Sequence, residues 1–191
     1  MRKSNKEVIG LKVESYKVKK KAIPALTSPQ RGEEIEKFVV VVPNIRSAHN
    51  VGAILRTADG AGIDKVYITG YSPYPPHPSL LKVSLGAENF VKWEYCKQTG
   101  KLLKQLKEKG YNIVALEQTK NSVNIFSWKP KFPCALVLGN EKTGVTKDQL
   151  KYCDKAVEIP MRGKKNSLNV SVAAGVALYY IAEKLQDCKI I

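Results

Sequence analysis

Three apolar runs in this chain end alike, and their order limits the fold more than any other feature. The first, Phe38–Val42, runs into Asn44-Ile45-Arg46-Ser47-Ala48-His49-Asn50. The second, Cys134–Leu138, runs into Gly139-Asn140-Glu141-Lys142-Thr143-Gly144. The third, Val157–Met161, runs into Arg162-Gly163-Lys164-Lys165-Asn166-Ser167-Leu168-Asn169. Short apolar runs rich in β-branched residues read as buried strands. Gly, Asn and Ser gather where the backbone must turn. After the first turn, Val51, Ile54, Ala58 and Ala61 recur at helical spacing. Strand, polar loop and helix in alternation predict a mostly parallel α/β sheet with helices on both faces. Ligands of such sheets bind outside the carboxyl ends of the strands, where all three polar turns fall.

The rest of the chain fits that plan. Val66–Thr69 and Tyr111–Glu117 read as further strands, and Val91–Tyr95 as an edge strand. Tyr71–Pro78 holds four prolines and cannot be regular, since each lacks a donor and fixes φ. Lys101–Lys109 predicts a short amphipathic helix ended by Gly110. Thr146 through Gln149 has the form of a capping box. Asn169–Leu185 predicts the longest helix. Its run of Val170, Val172, Ala173, Ala174, Gly175, Val176 and Ala177 is apolar around most of the circumference. Such a helix is buried, either in the core or against a partner subunit.

Charge divides the chain. Lys17, Lys19, Lys20 and Lys21 crowd one short stretch, so residues 1–37 read as a basic N-terminal extension and residues 38–191 as the main domain. A length of 191 residues suits one domain with a short appendage. The net charge of +15 suits a solubilising surface or a polyanionic partner. Nucleic acid is the favoured reading, because Lys and Arg gain affinity by releasing counterions from phosphates. Cys96, Cys134, Cys153 and Cys188 show no metal-binding spacing, and His49 and His77 are scattered, so no metal is expected. They read as reduced thiols of a cytoplasmic protein, with Cys134 in the core. No apolar run is long enough to span a bilayer, so no membrane partner is expected. The first residues lack the apolar core of a signal peptide.

Several common sites are excluded. No G-x-G-x-x-G follows a strand. Gly139 to Gly144 has the gap of a P-loop, but Val145 stands where its lysine belongs. Gly163-Lys164-Lys165 has the lysine without the upstream glycine. On the first helix Arg56 lies about 200° from Ile54, at roughly 100° per residue, so it points away from the core. Alone it reads as a solvated arginine. Gly52 and Gly60, one turn to either side, leave room for a backbone or a nucleotide, and Asn50 and Arg46 lie just upstream. Together these shift the reading toward an anion or ribose site. Glu141 suits a structural role, accepting from backbone donors or an arginine. Ser167, Asn169 and Ser171 are candidate helix caps.

The three motifs, with Lys82-Val83-Ser84-Leu85-Gly86-Ala87-Glu88 between the first and second, resemble the signature of the SpoU/TrmH family of RNA ribose 2′-O-methyltransferases. The resemblance runs from about Phe38 to the C-terminus. It implies the SPOUT fold, an α/β domain with a C-terminal deep trefoil knot, which is a rare exception to un-knotted topology. It also implies S-adenosylmethionine bound bent in the knot, and a homodimer. Carried over by position, Arg56 matches the catalytic arginine and Asn50 its helper, with Glu141, Asn169 and Ser171 at other functional positions. Leu138, Gly139, Asn140, Ile159, Met161, Ser167 and Leu168 match the cofactor site. Arg46, Arg162, Lys164 and Lys165 join Lys17, Lys19, Lys20 and Lys21 as RNA contacts. A guanidinium stays protonated, so Arg56 is suited to orienting the ribose and stabilising developing charge. Residues 1–37 are too short for the separate substrate-binding domain of many ribosomal RNA members. The layout therefore resembles the tRNA-modifying members that methylate a guanosine ribose. Ribosomal RNA, or RNA binding without catalysis, are the alternatives.

Overall fold

The computed structural model describes residues 36–187. The lysine run from Lys17 to Lys21 and Cys188 lie outside them. Among the described residues, seven strands, β1 (Phe38–Pro43), β2 (Lys65–Thr69), β3 (Trp93–Cys96), β4 (Asn112–Leu116), β5 (Val123–Asn124), β6 (Cys134–Val137) and β7 (Lys155–Glu158), form one sheet. Their order is β3-β2-β1-β6-β4-β7-β5, and every pairing is parallel. The helices are α1 (Ala48–Gly60), α2 (Pro78–Ser84), α3 (Thr99–Glu108), α4 (Lys147–Leu150) and α5 (Val170–Asp187).

The strand period of two divides the core into two layers. Val40 and Val42 of β1 face one layer with Ile54 and Ala58 of α1 and Ala177 and Ile181 of α5. Val39 and Val41 face the other, with Leu102, Leu103 and Leu106 of α3. Helices thus cover both faces, as the alternating pattern predicts. A sheet buried on both sides requires continuous apolar strands, and β1 is buried at every position.

The direction in which strands are added to the sheet reverses between β1 and β6. From β1 the chain builds outward through β2 to β3, then crosses to β4. It makes β5 at the far edge, returns to β6 between β1 and β4, and returns again to β7 between β4 and β5. The carboxyl ends of β1, β6, β4 and β7 therefore stand side by side, and the loops that follow them converge.

Local differences from the sequence reading have physical causes. The third apolar run is a strand only over Lys155–Glu158, and Ile159–Met161 is loop. Pro160 has no N–H to give to a ladder. Pro78, the last proline of its loop, opens α2 at a position where the missing N–H costs nothing. The edge strand lies at Trp93–Cys96 rather than Val91–Tyr95, and the two-residue β5 carries no periodic signal. The capping box forms fully: Thr146 Oγ1 accepts from Gln149 N, and Gln149 Oε1 accepts from Thr146 N at 2.9 Å.

The two glycines of α1 serve packing. A Cβ on Gly52 would sit 2.6 Å from the carbonyl oxygen of Leu80, so α2 crosses α1 there backbone to backbone. A Cβ on Gly60 would sit 3.0 Å from the hydroxyl of Tyr179 on α5. The room at Gly52 is taken by the α2 backbone, and that at Gly60 faces the Tyr179 side chain. On α5 itself, Ala174, Ala177, Leu178 and Ile181 are buried, whereas Val172 and Tyr179 are 52% and 55% exposed. The helix is buried on one face of this chain and open on the other.

Candidate active site

Glu141 ties the first motif to the second. Its carboxylate accepts from the backbone N–H of Arg46 at 3.1 Å and of Ser47 at 3.3 Å, and from Asn50 Nδ2 at 3.0 Å. Burial raises its pKa, but those hydrogen bonds together outweigh burial and hold the carboxyl below its usual range. It stays ionised and clamps the turn before α1, which is the structural role its sequence context suggests. Ser47 caps α1 by accepting from Asn50 N.

Asn50 extends the link to the third motif. Its Oδ1 accepts from Asn169 Nδ2 at 3.2 Å. Asn169 Oδ1 in turn accepts from Ser171 N at 2.8 Å and from Ser171 Oγ at 2.7 Å, capping α5. Four of the five sequence-predicted catalytic residues, Asn50, Glu141, Asn169 and Ser171, thus share one hydrogen-bonded chain. The fifth, Arg56, is exposed on α1 and outside this chain. It forms no ion pair among the described residues and does not line the cavity described next.

The loops after β4, β6 and β7 enclose a cavity of about 600 Å³. All seven sequence-predicted cofactor residues line it: Leu138, Gly139, Asn140, Ile159, Met161, Ser167 and Leu168. Asn140 is mainly a strut. Its Oδ1 accepts from the N–H groups of Lys142 and Thr143, and its Nδ2 donates to Asn44 O at 2.5 Å and to the Tyr71 hydroxyl at 3.0 Å. Ser167 faces the cavity and makes no cap, a task that falls to Asn169.

Sequence reasoning missed Glu117, Gln118, Glu158 and Asn166 in the cavity wall. Glu117 follows β4 and reads only as the polar end of a strand. Its Oε2 accepts from Val145 N at 2.7 Å, and its Oε1 from Gln118 N at 3.0 Å. A Cβ at Gly144 would collide with Glu117 Oε2, and Gly144 also has φ +63°. The glycine ending the second motif is thereby explained twice. Gln118 Nε2 donates to Asn166 O at 2.9 Å and holds the third motif's loop. Parallel crossing over 48 residues leaves no local signal of that contact.

Arg46, Arg162, Lys164 and Lys165 are all exposed at the loops that rim this end of the sheet. Among the described residues, the thiols of Cys96, Cys134 and Cys153 do not line the cavity. Burial pushes Cys134 up to about 12. Burial and then Glu94 do the same to Cys96, also to about 12, and Cys153 rises to about 11 for burial and Asp154. All three remain protonated and weakly reactive at neutral pH. Among the described residues no cluster of side chains suits a metal ion, and no helix is long and apolar enough to cross a membrane.

A wholly parallel sheet with a polar-rimmed cavity over its central carboxyl ends defines an α/β ligand-binding domain. The chain belongs to the SpoU rRNA Methylase family, whose model matches residues 37–179. A protein of Staphylococcus haemolyticus assigned to the TrmH family of tRNA/rRNA methyltransferases is 34% identical over 155 residues, 81% of this chain and 62% of that protein. The tRNA (guanosine(18)-2'-O)-methyltransferase of Aquifex aeolicus is 34% identical over 146 residues, 74% of this chain and 67% of that one. The crystal structure of the A. aeolicus TrmH/SpoU tRNA modifying enzyme is similar with a TM-score of 0.74 at 31% identity, covering 82% of this chain and 79% of that chain. The chain spans a little under two thirds of the length of the first of these relatives.

Proposed function

We propose that this chain binds S-adenosylmethionine in the cavity and serves methyl transfer to a ribose 2′-hydroxyl of RNA, with a tRNA guanosine as the substrate. The observation that carries the reading is the hydrogen-bonded chain from Ser171 through Asn169 and Asn50 to Glu141. It couples the cavity wall to the first turn of the helix that bears Arg56. The lining suits the cofactor: Leu138, Ile159, Met161 and Leu168 offer apolar surface to a purine, and Gln118 and Asn166 offer polar groups. S-adenosylmethionine supplies a methyl already activated on a sulfonium. What remains for the protein is alignment of the nucleophile.

Arg56 orients the ribose and stabilises negative charge developing on its oxygen as the hydroxyl releases its proton to water. Arg46, Arg162, Lys164 and Lys165 take phosphates, and Lys17, Lys19, Lys20 and Lys21 of the 1–37 extension add affinity without chemistry. We assign the segment 159–169, held by Gln118, to a C-terminal trefoil knot. The open face of α5, with Val172 and Tyr179, is assigned to a homodimer interface. The protein is placed in the cytoplasm, with its RNA substrates and reduced thiols.

The test is to map 2′-O-methylated nucleotides in RNA from cells lacking this protein. Loss at one tRNA guanosine is expected. Loss confined to ribosomal RNA would overturn the choice of substrate. An unchanged methylation map would overturn the reading itself.

A further inference from the structure

We propose that Tyr71 is a stacking platform for an unpaired base of the RNA, adjoining the nucleotide that is methylated. The inference rests on the RNA reading above but not on which RNA is used.

Tyr71 opens the proline-rich loop after β2, and the residue is 63% exposed. Single exposed aromatics are common and alone mean little. This one is fixed at both ends. Its backbone N–H donates to Asn44 Oδ1 at 3.2 Å, and its hydroxyl accepts from Asn140 Nδ2 at 3.0 Å. The backbone on either side is also tied. Gly70 N donates to Cys96 O at 3.1 Å. The buried Ser72 hydroxyl donates to Val42 O at 3.0 Å and accepts from Ile45 N at 2.8 Å. Pro73, Pro75 and Pro76 then fix φ along the loop. A ring so restrained has little rotamer freedom left to lose when a flat partner covers it.

The neighbouring tyrosines sharpen the contrast. Tyr74 is stacked on Tyr95 with ring centroids 4.3 Å apart, and the Tyr95 hydroxyl donates to Gly70 O. Tyr71 has no aromatic partner among the described residues. Its position is tied to the site through two motif residues. Asn140, which holds the hydroxyl, precedes Glu141, the clamp on Asn50. Asn44, which holds the N–H, lies two residues before the exposed Arg46. The ring is thus anchored to the loop after β1, the loop that also carries the exposed Arg46. Splayed single-stranded bases stack on such rings with little sequence preference.

The experiment measures RNA affinity, the KM for RNA, cofactor affinity and thermal midpoint for the full chain and for Tyr71→Phe, Tyr71→Leu and Tyr71→Ala. The RNAs are total tRNA and, separately, ribosomal RNA, each from cells lacking the protein. Tyr71→Phe keeps the ring but loses the hydroxyl tether to Asn140, and is expected to fall between the parent and Tyr71→Ala, nearer the parent, in affinity and KM. Tyr71→Leu and Tyr71→Ala are expected to weaken RNA binding and raise its KM roughly ten- to hundredfold. Cofactor affinity and thermal midpoint should move far less than RNA affinity, since Asn140 keeps its bond to Asn44 O. If Tyr71→Phe is as weak as Tyr71→Ala, the hydroxyl is only an anchor for the second motif and the proposal fails. It fails equally if all three variants match the parent, or if Tyr71→Ala dissociates a dimer, since a second copy would then cover the ring. A parent chain that binds RNA in a Tyr71-dependent way without methylating it would overturn the enzymatic reading and leave the platform standing. A parent that binds no RNA would overturn both.

Discussion

Asn50 and Asn169 are 119 residues apart in sequence, yet Asn169 Nδ2 donates to Asn50 Oδ1 at 3.2 Å. One side chain lies in the first turn of α1 and the other caps α5. Each has a second task, Asn50 toward Glu141 and Asn169 toward Ser171. The contact is therefore the joint at which the first and third motifs meet.

Substitution at Asn169 separates its two tasks. Asn169→Ala removes both cap and link. Loss of a cap costs about 1 kcal/mol, which for a chain of this size lowers the thermal midpoint by roughly 2–4 °C. Asn169→Asp retains a capping oxygen but has no amide to give Asn50. It is expected to melt near the parent and still lose methyl transfer. Scanning calorimetry with an activity assay reads both effects. An Asn169→Asp variant with full activity would show that the link to Asn50 is dispensable.

Glu141 makes stability depend on acid. Its pKa is depressed in the folded protein by backbone and Asn50 donors that outweigh burial. The unfolded chain therefore binds its proton first as pH falls. The contribution is fully present above the ordinary glutamate range and is lost as pH drops through the lower folded value. Urea titrations of the parent and Glu141→Gln should differ at pH 7 and converge as pH falls below about 4. A gap that persists unchanged in acid would mean the carboxylate charge is irrelevant to the clamp.

The two α1 glycines should respond unequally to alanine. At Gly52 the obstacle is a backbone oxygen, Leu80 O at 2.6 Å, so α2 must move. A destabilisation of about 1–3 kcal/mol is expected. At Gly60 the obstacle is the end of the Tyr179 side chain at 3.0 Å, on an exposed residue that can swing aside. Gly60→Ala is expected to be nearly neutral in chemical denaturation. Equal effects would mean that α1 and α2 are not in close contact at Gly52.

The strands and the cavity wall were largely legible before the structure, and the reasons are physical. Val39 to Val42 must be apolar at every position because both faces of β1 are covered. Turn residues must follow such strands, so the second and third motifs announce the cavity loops. The signal fails where structure depends on distant partners. Glu117 is a wall residue because Val145 and Gly144 come to it across 28 and 27 residues, and a lone Glu after a strand carries no mark of that. The short β5 is a strand only because β7 offers an open edge. Pro160 should have marked the end of the third strand, yet the apolar run continues through it to Met161. The glycines beside Arg56 were legible as packing sites, but not as sites for α2 and Tyr179 rather than for a ligand.

The most direct test of the account compares the parent chain with Arg56→Ala in one assay of labelled methyl transfer from S-adenosylmethionine to tRNA. Cofactor affinity is measured alongside by calorimetry. The parent is expected to form a 2′-O-methylated nucleoside. Arg56→Ala should lose roughly a hundredfold or more in rate, the scale of removing one donor that stabilises developing charge. Its cofactor affinity should be unchanged, because Arg56 does not line the cavity. Near-parental turnover by Arg56→Ala, or no binding of S-adenosylmethionine by the parent at millimolar concentration, would contradict the account.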